Sequence, residues 1–331
     1  MMKIISIVLP VFNEEAVLPL FHAELCRVMD KVEDRYRFEV VYVLDRSPDA
    51  SYAVLEGLAA RDSRIRVLHL SRRFGHQMSL VAGIDFSRGD AVIMMDCDLQ
   101  HPPETVLDLV AAYEQGYDIV HTIRRYDAAT PWLKRFSSRM FYTLQNALSP
   151  VEIPEGAADF RLISRKVADV FKTGIREQNQ FLRGLFQWVG FSSTTVQFVS
   201  RERGGGATKY RARRLLGFSV QGITSFSRVP LRAATLLGGV LSASSLLYGS
   251  WSLIGYFVTR QLPPGYSTLV VAVMFLGGLQ LLVLGIIGEY IGAIFDEVKR
   301  RPLYVVDNVI GGERNRAVQP ASRDWHFGKP T

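Results

Sequence analysis

Cysteines are scarce in this sequence. Its 331 residues include two, Cys26 and Cys97, which show neither metal-ligand spacing nor the pattern of a disulfide framework. This scarcity excludes a small secreted domain that depends on disulfides and a cysteine-rich zinc module. The sequence therefore fits a protein of a reducing compartment.

Acidic residues are also in deficit. The chain has 32 Asp and Glu against 39 Lys and Arg, a formal net charge of +7. We therefore expect an anionic partner, which could be nucleic acid, a membrane surface or a phosphorylated substrate. The chain lacks a basic motif with interleaved aromatic residues, which argues against nucleic acid. Many basic residues flank two long apolar runs, which favours a membrane surface.

A secretion signal is the third missing feature. The apolar run at residues 4–9 is far too short for the hydrophobic region and cleavage site of a signal peptide. It predicts a buried strand instead. We expect the domain that begins with this strand to stay in the cytoplasm.

The first two thirds of the chain have the pattern of an α/β domain. The predicted strands are residues 4–9, 38–44, 65–70, 91–95 and 118–123. The predicted helices between them include residues 15–32, 51–61 and 103–115. Strands that are apolar on both faces and alternate with amphipathic helices predict a parallel, doubly wound sheet. Ligands of such sheets bind at the carboxyl ends of the strands, so functional residues are expected just after them.

Two apolar runs follow, at residues 233–258 and 267–288. Each exceeds the roughly 20 residues that a helix needs to cross a bilayer, although two buried helices of a soluble protein are an alternative. Basic residues precede and follow the pair, whereas only Arg260 lies in the short connection. By the positive-inside rule, we expect a multi-pass inner-membrane protein with the α/β domain and both termini in the cytoplasm.

These patterns divide the chain into four parts. We predict a cytoplasmic α/β domain at residues 1–210, juxtamembrane amphipathic helices at 211–232, a two-helix transmembrane hairpin at 233–292 and a cytoplasmic C-terminal tail at 293–331. The tail after Ile310 has little periodicity, and we expect it to be disordered.

Two carboxylates stand one residue apart after the fourth predicted strand, in Asp96-Cys97-Asp98. In an extended segment both can point toward one ligand, and their oxygens suit Mg²⁺ or Mn²⁺ that bridges a diphosphate. Taken alone, however, the motif is more often a solvated turn.

Read together with these acids, several other segments resemble a known family. They include residues 8–15, 71–77, 82–85, 188–191, 206–210, 225–231, 288–292 and 296–302, with Asp159-Phe160-Arg161-Leu162 and Phe181-Leu182-Arg183-Gly184. Together they resemble the family 2 glycosyltransferases. Their succession is similar to the polyprenyl-phosphate glycosyltransferase branch, which includes dolichol-phosphate-mannose synthases and bactoprenol glucosyltransferases. The resemblance extends from Ile4 to about Val306.

The resemblance implies a GT-A fold for the doubly wound domain and roles for residues at its strand ends. Binding of the nucleotide-sugar is implied for Pro10, Phe12, Glu14, Asp45 and Asp96, and binding of the metal and diphosphate for Asp96, Asp98 and Gln100. Three of these have structural alternatives. Pro10 could end a strand, Phe12 could belong to the core, and Glu14 could be a first-turn acid favoured by the helix dipole.

The second predicted strand is followed by a departure from the family pattern. Leu44 stands where an Asp is usual and Arg46 where a Gly is usual, so one acceptor of the donor pocket is missing. These residues keep open a non-catalytic relative that acts as a membrane scaffold. A processive polysaccharide synthase is the other alternative, although such enzymes usually show Gln-x-x-Arg-Trp, whereas this chain has Gln180-Phe181-Leu182-Arg183-Gly184.

Asp159 and Asp98 are the catalytic residues that the resemblance implies. A lipid phosphate is already anionic near neutral pH and needs no deprotonation to attack the anomeric carbon. Asp159 therefore acts either as a base or as a group that orients the acceptor or a neighbouring arginine, and the sequence leaves both roles open.

Two anions meet in the implied reaction, the diphosphate of the donor and the phosphate of the acceptor, and their repulsion must be offset. Several cationic or hydroxyl side chains near the interface are candidates for binding the acceptor phosphate. They are Arg124, Lys134 with Ser138, Arg203 and Lys209. Each is as readily interpreted as a solvated surface group.

The resemblance as a whole implies inverting transfer of a sugar from a nucleotide-sugar, with UDP-glucose favoured, to polyprenyl phosphate. The product would serve a cell-envelope glycan or a lipid modification. Mg²⁺ or Mn²⁺ is the implied cofactor. The implied partners are the donor, the lipid and the membrane; nucleic acid is not expected, and a homo-oligomer is left open.

Overall fold

The computed structural model describes residues 2–125, 156–200, 229–259 and 265–311. In these ranges one sheet contains β1 (Lys3–Val11), β2 (Tyr36–Leu44), β3 (Ile65–Leu70), β4 (Ala91–Met94), β5 (Ile119–Arg125), β6 (Ala157–Ser164), β7 (Ser193–Val199) and β8 (Val306–Gly311). The helices of the same ranges are α1 (Leu18–Asp30), α2 (Ser51–Ala59), α3 (His76–Phe86), α4 (Thr105–Glu114), α5 (Arg165–Thr173), α6 (Leu182–Trp188), α7 (Val229–Thr259) and α8 (Tyr266–Val298).

The strands lie in the order β7-β5-β6-β4-β1-β2-β3-β8. β1 pairs in parallel with β2 and β4, and β2 pairs in parallel with β3. Because β6 is antiparallel to both β4 and β5, those two strands run in the same direction. The parallel arrangement is therefore confirmed for the five predicted strands. β6 and β8 were not predicted, and both run antiparallel to their neighbours, so the sheet is mixed.

Apolar residues on both faces of the sheet account for helices on both sides. Along β1, Ile5 and Ile7 are buried in the cluster on one face, whereas Val8 belongs to the cluster on the other face with Leu80 of α3. Gly83 of α3 allows this close contact, since a Cβ there would overlap the Val8 side chain. The two-sided burial confirms the doubly wound α/β prediction.

α1 begins three residues later than the predicted residue 15, and Pro19 lies in its first turn, where a fixed φ suits a helix start. Before it, the backbone amides of Glu14 and Glu15 donate to Ser51 Oγ and Asp49 Oδ2, at 3.2 and 3.1 Å. These bonds to side chains hold the segment outside the helix. The interpretation of Glu14 as a first-turn helix acid is therefore wrong.

The two long helices differ in apolar character. α7 has 31 residues and α8 has 33. In α8, the stretch Val271–Val298 is long and apolar enough to cross a membrane, and it is exposed along its length. α7 contains a shorter apolar stretch, Ala234–Ser245. By length and composition, the described residues thus support one of the two predicted spans, and the second stays a prediction.

After α8 the chain returns to the sheet. Leu303 and Tyr304 are buried, and β8 pairs with β3 from Arg66 opposite Gly311 to Leu70 opposite Val306. This strand falls within the predicted C-terminal tail. Residues 312–331 and most of the predicted juxtamembrane segment, 211–228, lie outside the described residues.

Candidate active site

The predicted site residues come together at one edge of the sheet. Asp45 and Asp96 follow the carboxyl ends of β2 and β4. Asp159 lies near the start of β6, and because β6 is antiparallel to β4, that start reaches the same edge. The position of the site is therefore the one expected for a doubly wound sheet.

Two histidines contact Asp96, one through its carboxylate and one through its backbone amide. Nε2 of His76, the first residue of α3, lies 2.7 Å from Asp96 Oδ1. The backbone amide of Asp96 donates to Nδ1 of the buried His101 at 3.0 Å. His101 is itself fixed between aromatic rings, stacked on Phe160 with centroids 5.0 Å apart and edge-on to Phe198. This packing holds the turn after β4 in place.

The charges at Asp96 stabilise one another. Desolvation lowers the pKa of His76, but the carboxylates of Asp96 and Asp159 outweigh it and raise that pKa to about 9. Desolvation raises the pKa of Asp96, but the charges of His76 and His101 outweigh this effect and lower that pKa to about 2. Near neutral pH, Asp96 is therefore an anion beside a cationic imidazole.

The turn that carries Asp98 is tight. Asp98 Oδ1 accepts the backbone amide of Gln100 at 3.0 Å, and Leu99 between them has a φ of 64°. A bulky residue in the left-handed region is uncommon and marks a constrained backbone. The Gln100 carbonyl accepts from Ser200 Oγ at 3.3 Å, which ties this turn to the end of β7.

Asp159 is held by arginines. Its two carboxylate oxygens accept from Nε and Nη2 of Arg183, at 2.8 and 2.9 Å, in a two-point ion pair. The buried Arg161 lies 3.4 Å from Oδ1, and Gln77 of α3 lies 3.5 Å from Oδ2. The carboxylate thus joins β6, α3 and α6.

This setting favours an orienting role for Asp159. Burial raises the pKa of Asp159, but the charge and hydrogen bonds of Arg183, with the charge of His76, outweigh it and hold that pKa well below its usual range. A carboxylate with so low a pKa is a weak base. Of the two roles that the sequence leaves open, the ion pair with Arg183 supports orientation.

Three residues predicted to bind the nucleotide-sugar, Pro10, Phe12 and Glu14, lie at the end of β1 and just after it. Pro10 is the penultimate residue of β1, so the strand continues one residue beyond it. Phe12 is half-buried, and the Arg73 guanidinium stacks 3.9 Å from its ring centroid, so it is not a core residue. Asn13 has a φ of 62°, which bends the chain away from the strand. The structure leaves the ring of Phe12 at the surface of this edge.

The carboxylate of Asp45 binds the loop that precedes α3. Its carboxylate accepts the backbone amides of Phe74 and Gly75, at 2.7 and 2.8 Å. Gly75 has a φ of 95°, which L side chains rarely adopt, and it stands immediately before His76. Arg46 donates to the carbonyl of Ser71 at 3.1 Å in the same loop. Asp45 therefore positions the start of α3, and its predicted contact with the nucleotide stays a prediction.

One predicted acceptor ligand lies in the described residues. Arg124, near the end of β5, has its guanidinium 6.0 Å from the ring of Phe198, which contacts His101. Phe198 and His101 thus connect Arg124 to the turn that contains Asp96. The other predicted ligands, Lys134, Ser138, Arg203 and Lys209, lie outside the described residues.

Four partners of the acids were not singled out from sequence. They are His76, Gln77, Arg161 and Arg183. A signal was present, because all four lie in segments that carry the family resemblance. Their pairing with Asp96 and Asp159 depends on tertiary contacts, which the segments alone do not specify.

Comparison with known proteins matches both parts of the chain. Residues 6–171 match the model of glycosyl transferase family 2, and residues 229–294 match the GtrB C-terminal hairpin. The chain is 40% identical to YkcC of Bacillus subtilis (strain 168), described as an uncharacterized glycosyltransferase, over 97% of this chain and 98% of that protein. It is 39% identical to the SfII prophage-derived bactoprenol glucosyl transferase of Shigella flexneri, over 91% and 97% of the two chains.

Among solved structures, the chain is similar to the mannosyltransferase PcManGT from Pyrobaculum calidifontis in complex with GDP-Man and Mn²⁺. The identity is 15% and the TM-score 0.48, with 91% of this chain and 89% of that chain covered. The family model and the relatives of nearly equal length confirm the resemblance seen in the sequence. The family match and the observed α/β sheet confirm the GT-A-type fold. This chain belongs to glycosyl transferase family 2 and is a glycosyltransferase.

Proposed function

We propose that this enzyme transfers a sugar from a nucleotide-sugar to the phosphate of a polyprenyl lipid at the cytoplasmic face of the inner membrane. The observation that carries the proposal is the pairing of an acidic edge, Asp96 and Asp98 beside Asp159, with a long exposed apolar helix in the same chain. The bactoprenol glucosyl transferase of Shigella flexneri, similar over nearly its whole length, supports this acceptor.

Asp96 and Asp98 are the residues proposed to hold Mg²⁺ or Mn²⁺, with Gln100 beside them. They fit such an ion because carboxylate oxygens are its preferred ligands. His76 Nε2 now lies 2.7 Å from Asp96 Oδ1, and a bound ion would replace this contact. When bound, the ion would neutralise the charge of the diphosphate leaving group. Pro10, Phe12, Glu14 and Asp45 would line the nucleotide side of the same edge.

Asp159 and Arg183 form the acceptor side. The two-point ion pair fixes the guanidinium plane of Arg183, and Arg161 adds a second positive charge behind it. An anionic acceptor phosphate gains from such fixed cations, and it needs no base. Asp159 therefore acts by positioning Arg183, while Arg124, Lys134, Ser138, Arg203 and Lys209 are the proposed ligands of the acceptor phosphate.

The reaction is proposed to be a single displacement. The lipid phosphate oxygen bonds to the anomeric carbon as the bond to the nucleotide diphosphate breaks, so the configuration inverts. No covalent enzyme intermediate is required. UDP-glucose is the proposed donor, and an α-linked donor would give a β-linked lipid-phosphate sugar for a cell-envelope glycan or a lipid modification.

Membrane attachment is proposed through α7 and α8, with residues 211–232 along the interface and both termini in the cytoplasm. The side chains of Leu281 and Met274 on α8 are 71% and 75% exposed in the structure, which suits contact with lipid. The proposed domains are residues 1–210, 211–232, 233–292 and 293–331. This attachment brings the acidic edge to the leaflet that supplies the lipid.

The test is a panel of radiolabelled nucleotide-sugars incubated with membranes that contain the full chain, with Mg²⁺ or Mn²⁺ and undecaprenyl phosphate. Label in the organic phase is the expected result, with UDP-glucose the best donor. Asp98→Asn should lower this label at least about 100-fold. Asp108→Asn, an exposed acid on α4, is the matched control and should leave it unchanged.

Three outcomes would contradict the proposal. Transfer that persists undiminished after chelation of divalent ions would remove the metal role of Asp96 and Asp98. Binding of the nucleotide-sugar with no release of nucleotide in the presence of lipid phosphate would instead favour the scaffold alternative. Label recovered as polymer would favour the processive synthase.

A further inference from the structure

A histidine, a cysteine and an aspartate meet outside the acidic edge, between α1 and the turn before β3. His22 and Cys26 are four residues apart on α1 and therefore lie on the same helix face. Asp62 stands in the turn between α2 and β3, at the amino end of β3. Within the described ranges, this is the one group of three or more His, Cys, Asp or Glu ligand atoms that lie within 4.8 Å of one another.

The three ligand atoms are already spaced as a tetrahedral ion requires. The distance from His22 Nε2 to Cys26 Sγ is 3.4 Å, from His22 Nε2 to Asp62 Oδ2 3.6 Å, and from Cys26 Sγ to Asp62 Oδ2 3.8 Å. Zinc bonds of the usual lengths, at tetrahedral angles, separate such atoms by roughly 3.4 to 3.6 Å. An ion could therefore bind with displacements of a few tenths of an ångström.

The histidine is oriented for this role by a buried partner. The hydroxyl of Tyr42, a fully buried residue of β2, lies 3.1 Å from His22 Nδ1. Metal-binding histidines usually hold their second ring nitrogen in such a hydrogen bond, which fixes the ring and directs the other nitrogen at the ion. Here that other nitrogen, Nε2, is the one that faces Cys26 and Asp62.

We propose that His22, Cys26 and Asp62 form a Zn²⁺ site that joins α1 to the turn before β3. A thiolate, an imidazole and a carboxylate together favour zinc over the hard ions that suit Asp96 and Asp98. The side chains of His22 and Asp62 are 9% and 15% exposed, so the site is shielded and still open to an ion from solvent. Three protein ligands leave the fourth position for water.

Arg64 competes with the ion. Its Nη2 lies 3.3 Å from Cys26 Sγ and 2.8 Å from Asp62 Oδ2, so a guanidinium now neutralises the charge that zinc would use. Its Nη1 also contacts Asp30, and the Arg64 side chain is 31% exposed. Its Nε also donates to both oxygens of Asp62 at 3.0 Å, so a bound ion must displace Arg64 from Asp62 toward Asp30 and solvent.

The test uses Co²⁺ as a spectroscopic substitute for zinc, added to the detergent-purified full chain in the presence of excess Mg²⁺. A cobalt–thiolate charge-transfer band is expected, with one equivalent of Co²⁺ per chain, and Zn²⁺ should displace it. Cys26→Ser should lose the band, and Asp62→Asn should weaken binding by about 10- to 100-fold. Arg64→Gln should tighten it, by about tenfold, because a competing cation is removed.

Two controls separate this site from the acidic edge. Cys97→Ser removes the other cysteine of the chain, and Asp98→Asn removes a proposed ligand of the active-site ion; both should keep the band. Zinc should also raise the melting temperature of the wild type but not of Cys26→Ser. A cooperative melting transition in Cys26→Ser verifies that the variant is folded.

A band that survives Cys26→Ser, or one that disappears in Asp98→Asn, would overturn the proposal. So would weaker binding in Arg64→Gln, since Arg64 would then support the ion rather than compete with it. Sugar transfer is not a readout here. The zinc site therefore stands or fails independently of the proposed function.

Discussion

The sheet domain buries its large apolar side chains, whereas the long helix α8 exposes side chains of the same kind. In the domain, Phe171 and Phe186 are buried and stack with ring centroids 4.4 Å apart. On α8, Phe275 and Phe295 are 61% and 60% exposed. A soluble protein seldom exposes so continuous an apolar surface. The difference teaches that the two regions are built for different solvents, which paired substitutions can test.

The largest effect is expected from truncating matched phenylalanines. Phe171→Ala should lower the free energy of unfolding by about 3–5 kcal/mol, because it opens a cavity in a packed core. Phe275→Ala should change it by less than about 1 kcal/mol, since lipid or detergent fills the space. Denaturant unfolding of the detergent-purified chain measures both. Equal losses at the two positions would mean that α8 is packed against protein.

A charge placed in each region sharpens the contrast. Leu284 of α8 is 61% exposed and Leu20 of α1 is 53% exposed, so in water either would tolerate an aspartate. In a bilayer, Leu284→Asp should disfavour insertion by about 2.5–3.5 kcal/mol. Leu20→Asp should stay within about 0.5 kcal/mol. The fraction of protein released from membranes by alkaline carbonate measures this, and identical fractions would argue against a membrane span.

Ion pairs provide a third contrast, between the acidic edge and the surface. Arg183→Ala should reduce sugar transfer by about 100-fold, because it leaves Asp159 without its two-point partner and removes a fixed cation. Arg183→Lys keeps the charge but loses the second hydrogen bond, so an intermediate rate is expected.

The control for this prediction is Arg35→Ala, which breaks the exposed pair with Glu114 and should change the rate by less than about twofold. The measurement is initial rates of label transfer to undecaprenyl phosphate at saturating donor. A wild-type rate for Arg183→Ala would contradict the proposal that Asp159 acts by positioning Arg183.

The smallest effect concerns the junction of the two regions. The Tyr304 hydroxyl donates to Asp85 Oδ2 at 2.6 Å, and Nη1 of Arg176 contacts both oxygens of the same carboxylate, at 2.8 and 2.9 Å. Tyr304→Phe should destabilise the docked segment by about 1 kcal/mol, seen as faster amide exchange in β8. Tyr113→Phe, which removes a long 3.4 Å bond to Asp90 at the surface, should have a smaller effect. Unchanged exchange in Tyr304→Phe would contradict the docking.

Much of the fold could be predicted because its signals are local. The run from Ile65 to Leu70 is apolar and β-rich, and its predicted bounds match β3. Asp45, Asp96 and Asp98 come just after predicted strands, so their position at the carboxyl ends of the strands could be predicted from sequence. β8 was missed because its pairing with β3 spans more than two hundred residues and an intervening helical pair, which no local pattern can indicate.

The partners of the acids were missed for the same reason. Asp159 meets Arg183 because α6 packs beside the start of β6, and it meets Gln77 because α3 begins at the same edge. Which cation faces which acid is thus fixed by packing in three dimensions. For Asp45, the position after β2 was predicted, but the contacts were not. Its carboxylate accepts the backbone amides of Phe74 and Gly75.

The pairing of β8 with β3 has a practical consequence for handling the protein. Without Val306–Gly311, the backbone amides and carbonyls of β3 would be left at an open sheet margin, the kind of margin on which foreign strands assemble into aggregates. A shortened form that stops at the end of α8 would therefore be prone to self-association for a reason unrelated to lipid. Deletions from the carboxyl terminus are best made beyond Gly311.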